Sequence, residues 1–168
     1  LPISALTVSQ QSTRTTDVTV DGCEVSAATN GYGVQVNNSL TSTPVTFVMT
    51  NSYVHGGTYA VYIGAGSGNM LTVSLVNNLV DKATYGLYFG QSQATPGGVT
   101  YVNNIISNHT TTAVNIAVAA AAAGVVHNNN ALYGNASNYA GSAVDGPGYV
   151  KADCMMDLST VVPQTDRK

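Results

Sequence analysis

The chain has 168 residues, enough for one domain with a substantial buried core. Hydrophobic residues make up 44 % and charged residues only 8 %, against roughly 25 % in an average soluble domain, so neutral Thr, Ser, Asn and Gly must carry its solubility. A formal charge of −3, with five Lys and Arg, excludes the basic stripe that a nucleic-acid partner needs, and no apolar run approaches the ~20 residues required for membrane insertion.

In chain order, residues 1–16 carry Ile3, Leu6 and Val8 and read as an N-terminal cap or partial coil. Residues 17–144 are organised by an internal repeat. Phe47–Val54, Val73–Val80, Val99–Ile106 and Val125–Leu132 align with their first Asn at 51, 77, 103 and 129. The step is 26 residues each time. Val18–Val25 is an earlier copy with Gly22 and Cys23 in the two Asn slots. A second strip follows each first one: Tyr32–Val36, Tyr59–Ile63, Tyr85–Phe89 and Thr112–Ile116, with Tyr139-Ala140 starting a degraded fifth.

Each unit therefore predicts two short alternating strands with a polar corner between them. One such unit cannot bury its apolar face alone, whereas stacked units can. Stacking makes Val34, Val61, Leu87 and Val114 one inward column and Val36, Ile63, Phe89 and Ile116 another. Small residues at 33, 60, 86, 113 and 140 allow a tight bend. Asn at the corners tolerates turn dihedrals and can bond from coil to coil. The predicted fold is all-β, a parallel β-helix (solenoid) of about five coils with ~26 residues each. Residues 145–168 form a C-terminal closing segment and tail.

The corners Asn77-Asn78-Leu79-Val80 and Asn103-Asn104-Ile105-Ile106, each followed by a second strip, resemble the right-handed parallel β-helix, or pectin-lyase-like, superfamily. The resemblance covers roughly residues 17 to 141, and Asp145 through Leu158 is similar to the closing segment of bacterial members. It implies right-handed winding. Enzymes of the superfamily mostly cleave acidic polysaccharides. Hydrolase members use clustered Asp, and lyase members use an Arg or Lys base with a group that neutralises the sugar carboxylate. This chain has no Asp-Asp pair, no Arg between residues 15 and 166, and neither the Asn-Thr-Asp nor the Arg-x-Lys motif.

Two outward constellations remain. The residue after each first strip is Ser26, His55, Asp81, Ser107 or Tyr133. Registered stacking sets His55 about 5 Å from Asp81, with Lys82 adjacent and His109 two residues past Ser107. A His beside a carboxylate can serve as a general base, so His55, Asp81 and Lys82 are the catalytic candidates, against the plainer reading of a solvated polar corner. In the second strip the outward position holds Gln35, Tyr62, Tyr88 and Asn115. These predict a substrate-binding tyrosine platform flanked by amides, against the plainer reading of a cross-strand aromatic pair. Tyr53 is expected outward as well.

No cofactor is implied. Calcium would need converging carboxylates, and the spacing of Asp17, Asp21 and Glu24 matches no loop motif. Cys23 reads as a small buried residue, and four or five coils place it roughly 20 Å from Cys154, beyond disulfide reach. The Ala117–Ala123 tract reads as a small-residue loop or single helical turn. A start at Leu1 suggests a piece of a larger protein, and low charge with abundant Ser, Thr and Asn suggests an extracellular or cell-surface setting. Uncovered solenoid ends would favour self-association. The expected function is a β-helix module that contacts polysaccharide. Alternatives are a non-catalytic structural or adhesive solenoid (stalk, spike or surface segment) and a divergent polysaccharide lyase or hydrolase.

Overall fold

A computed structural model describes residues 2–10, 14–40, 43–65, 70–90, 98–117 and 125–151. Two strands, β1 (Pro2–Ser4) and β2 (Leu6–Gln10), form an incomplete first turn. Five coils follow. The first is β3 (Thr16–Asp21), β4 (Glu24–Ala27) and β5 (Tyr32–Asn38), and the second is β6 (Val45–Thr50), β7 (Tyr53–Gly56) and β8 (Tyr59–Ala65). The third is β9 (Leu71–Val76), β10 (Leu79–Asp81) and β11 (Tyr85–Phe89), and the fourth is β12 (Val99–Val102), β13 (Ile105–Ser107) and β14 (Thr112–Ile116). The fifth is β15 (Val125–Asn128), β16 (Ala131–Tyr133) and β17 (Tyr139–Gly141).

The strands stack into three parallel sheets. One runs β3-β6-β9-β12-β15, the second β1-β4-β7-β10-β13-β16, and the third β2-β5-β8-β11-β14-β17. Each coil thus has three strands where the sequence pattern predicts two, because the first strip breaks at its Asn corner. Register follows the repeat through the fourth coil: Tyr62 pairs with Tyr88, Leu87 with Val114, and Val80 with Ile106. At β17 in the fifth it slips by two, Tyr139 pairing with Val114 and Ala140 with Asn115, so Ala140 does not continue the small-residue column.

The break has a backbone cause. Asn51, Asn77, Asn103 and Asn129 have φ between 51° and 58°, in the left-handed region, and Gly22 takes the same place in the first coil at 60°. Asn reaches that region at lower cost than other side-chain-bearing residues. The second Asn of each pair points inward. Asn78, Asn104 and Asn130 are buried, and each closes a link to the coil before it. Asn104 Oδ1 accepts from the Asn78 backbone N–H at 2.9 Å and from Asn78 Nδ2 at 3.1 Å. Its own Nδ2 donates to the Leu75 carbonyl at 3.0 Å. Asn130 repeats this against Asn104 and Tyr101, and Asn78 against Ser52 and Met49. Ser52 ends the ladder by accepting from the Cys23 N–H at 3.2 Å. Cys23 itself is half-buried rather than fully buried. Cys154 lies outside the described residues.

The core runs along the solenoid axis. Val34, Val61, Leu87 and Val114 are at most 1 % exposed, and Val36, Ile63, Phe89 and Ile116 at most 2 %, so both expected columns face inward. Val25, Val54, Val80, Ile106 and Leu132 add a third column from the second sheet. Burying each such side chain is worth about 1.5–3 kcal/mol before ordering costs. After β17 the chain folds back over the last coil. The Leu132 N–H donates to Val150 O at 2.8 Å, and the Asn129 N–H to Pro147 O at 2.8 Å. The Tyr149 hydroxyl lies 2.9 Å from His127 Nδ1 and 3.1 Å from the buried Tyr101 hydroxyl. Most of the Ala117–Ala123 tract lies outside the described residues.

Candidate functional site

The third sheet presents its outward side chains to solvent. Gln35 pairs with Tyr62, Tyr62 with Tyr88, and Tyr88 with Asn115, which is the row the repeat predicts. The Tyr62 and Tyr88 rings stack with centroids 5.7 Å apart and planes 10° from parallel.

A second row joins them. Tyr32, Tyr59 and Tyr85 stack with centroids 5.3 and 5.2 Å apart, at 12° and 15°. The two rows meet edge to face: Tyr59 lies 5.5 Å from Tyr62 at 71° and 4.9 Å from Tyr88 at 71°, while Tyr32 meets Tyr62 and Tyr85 meets Tyr88 in the same way. All five rings are half-buried. Near-parallel rings in contact at ~3.6 Å with these centroid separations must be slipped by roughly 4 Å, so the stacks are offset rather than face on face.

Simple alternation hides the second row, because it sets Tyr59 on the inward side with Val61 and Ile63. The chain escapes alternation at the small residue. Ala60 and Val61 are both fully buried, as are Gly33 with Val34, Gly86 with Leu87 and Ala113 with Val114. The strand rotates there, and Tyr59 and Tyr62 come to share one side. Gly86 shows how tight the bend is. A Cβ on it would meet the Ala113 carbonyl oxygen and stand 2.7 Å from His109 Nε2. The signal was therefore the small-residue column itself, read as a rotation of the strand.

Tyr62 has a further constraint. A Cβ at Gly90 would lie 2.6 Å from the Tyr62 hydroxyl oxygen, and one at Gly64 would lie 2.9 Å from its ring. Two glycines thus clear the space that the ring occupies. Burial raises the pKa of Tyr59 and Tyr62, with smaller additions from neighbouring tyrosines, so both hydroxyls stay neutral donors.

The catalytic candidates fare differently. His55 and Asp81 are register partners, but their side chains take other partners. His55 Nε2 lies 3.0 Å from Glu24 Oε1, and its ring stacks on half-buried Tyr53 at 4.5 Å. Asp81, expected at a solvated corner, is fully buried. Its Oδ1 accepts from Ser107 Oγ and from Asn108 Nδ2, each at 2.8 Å, and its Oδ2 lies 3.6 Å from Lys82 Nζ. Lys82 occupies a left-handed corner (φ 53°), aligned with Gly56, Asn108 and Gly134. Glu24, the partner His55 does find, sits opposite Tyr53 and two residues along the strand from the residue opposite His55. Diagonal neighbours of that kind are within reach of long side chains.

His109 is buried and structural. Its Nδ1 accepts from the Ala83 N–H at 3.2 Å, and its Nε2 lies 3.2 Å from the Val80 carbonyl. Burial pushes its pKa down to about 4, against smaller upward effects from the carbonyls of Ala83, 3.4 Å from Nδ1, and Val80, and from Asp81. Among the described residues no three His, Cys, Asp or Glu side chains gather as a metal site, and Asp17, Asp21 and Glu24 hold no shared centre. Asp21 Oδ1 instead accepts from Thr50 Oγ1 at 2.6 Å and from Asn51 Nδ2 at 2.9 Å.

A family model described as "right handed beta helix region" matches residues 4–153, and the chain belongs to that family. Neither the curated proteins nor the solved structures give a match.

Proposed function

We propose that this β-helix is a carbohydrate-contacting module of an extracellular or cell-surface protein, working through the tyrosine side of its third sheet. The observation that carries this reading is the five-ring array of Tyr32, Tyr59, Tyr62, Tyr85 and Tyr88, bordered in register by Gln35 and Asn115. Pyranose rings have an apolar C–H side that packs on aromatic side chains and a hydroxyl rim that bonds to amides and phenols, and this side of the sheet carries half-exposed tyrosines beside two amides. Core packing does not require these rings to be tyrosine, since their inward neighbours already fill the solenoid. Binding to a glycan array tests the proposal. Wild type should retain a defined set of glycans, and the Tyr62→Ala/Tyr88→Ala variant should lose them. Retention that survives the double substitution would exclude the platform.

A second reading is a structural or adhesive solenoid. It rests on the outermost strands β1, β2 and β3, beyond which no further described strand pairs. Their edges could accept strands from another chain. Concentration-dependent association that leaves glycan retention absent would favour it. Catalysis has thinner support, because His55 and Asp81 take separate partners.

A further inference from the structure

We infer that the glycan taken by the tyrosine side is a neutral polysaccharide, without uronate, sulfate or phosphate groups, an inference that rests on the carbohydrate-contacting reading above.

Charge distribution carries it. None of the six strands of the third sheet contains an Asp, Glu, Lys, Arg or His. Between Val25 and Val144 the whole sequence holds only two Asp, Glu, Lys or Arg residues, Asp81 and Lys82. These two are neighbours in contact with each other, and they lie at the end of β10 in the second sheet and just beyond it. Lys82 precedes Tyr85 by three residues, is exposed and is taken up with Asp81. Among the described residues, the cation–ring contact on the third sheet is that of Lys151. Lys151 lies 5.8 Å from the centre of the Tyr139 ring on β17, is already paired with Asp145 at 2.6 Å, and is separated from β11 by β14.

An anionic sugar laid on these rings would give up hydration of its carboxylate with no cation on the strands beneath to replace it, and that exchange is unfavourable. A neutral sugar gives up only hydroxyl hydration. The phenols and the amides of Gln35 and Asn115 can return it. The rows also run along the solenoid axis, one ring per coil, with successive strands about 4.8 Å apart. That repeat is close to the length of one extended pyranose, so a linear chain parallel to the axis can meet a ring at successive residues.

Affinity electrophoresis separates the cases. The folded protein is run through gels containing a neutral polymer (hydroxyethylcellulose, mannan or xyloglucan) or a uronate polymer (polygalacturonate or alginate). Far-UV circular dichroism checks each variant for the β-helix. The expected result is retardation by at least one neutral polymer, unchanged at about 1 M NaCl because no ion pair is involved, and lost in Tyr62→Ala/Tyr88→Ala. Gln35→Lys/Asn115→Lys, which keeps every ring, should add uronate retardation at low salt only. Retardation of wild type by uronate alone, lost with the tyrosines, would overturn the neutral class while leaving the carbohydrate reading intact. Retardation by no polymer, retardation indifferent to the tyrosines, or a tyrosine-dependent dimer in sedimentation without retention would overturn both.

Discussion

Nδ1 of His109 accepts the backbone N–H of Ala83 on the preceding coil. Nδ1 also lies 3.4 Å from the Ala83 carbonyl, but the shorter contact to the N–H and the Val80 carbonyl beside Nε2 together favour the neutral ring with its proton on Nε2. The ring thus repeats what Asn104 does for Asn78 and Leu75, accepting a backbone N–H and donating to a carbonyl. Asn135 continues this second ladder by accepting the His109 N–H at 3.0 Å and donating to Ile106 O at 3.0 Å.

This predicts an acid-sensitive corner. The folded pKa of His109, about 4, lies below the ordinary histidine value of 6.5, so the unfolded chain binds the proton more tightly. Full stability is present above about pH 6.5 and is lost as pH falls toward 4, by on the order of 3 kcal/mol. Burial lowers the pKa of His127 too and acts in the same direction. Urea denaturation at several pH values should show the decline, and His109→Asn, which can make both corner bonds, should make it shallower. An equal decline in that variant would show that the corner is not its source.

Asn104→Ala removes a group that serves both neighbouring coils. It orphans the buried Asn78 N–H and Leu75 carbonyl. Each orphan costs about 1–3 kcal/mol, so a loss of roughly 2–5 kcal/mol is expected. The same change at exposed Asn103 should remove no such bond and cost less. The two denaturation midpoints give the comparison.

Gly86→Ala should destabilise by about 1–3 kcal/mol, as overpacking does. Its Cβ is directed at the Ala113 carbonyl, which is backbone, and at the His109 ring, which is fixed by hydrogen bonds. A neutral outcome in thermal melts would mean that the bend relaxes more freely than its packing indicates.

Gly90→Ala separates binding from stability. Its Cβ would press on the mobile end of Tyr62 rather than on backbone. The expected outcome is near-normal stability with glycan affinity reduced severalfold or more, roughly 1 kcal/mol. Isothermal titration beside a melt measures both.

The repeat made the solenoid legible because inward columns and corners recur with one period. Val61, Leu87 and Val114 could be placed by counting. Tyr62 and Tyr88 followed, since their row alternates with those columns. Tyr59 and its stacking partners did not, because the strand turns at Ala60 and alternation fails there. Asp81 was misplaced for a related reason: counting gives the register but not which side a corner residue faces. His55 could be counted into line with Asp81, yet a diagonal contact with Glu24 competes better.

The most direct test uses the chain's own fluorescence. It has ten Tyr and no Trp, and five of the ten form the array, so tyrosine emission reports on the proposed site. Titration with a soluble neutral oligosaccharide should change that emission saturably in wild type and leave it flat in Tyr62→Ala/Tyr88→Ala. A saturable change of equal size in the double variant, or none in wild type for any neutral or acidic oligosaccharide, would contradict a carbohydrate site on the tyrosine side.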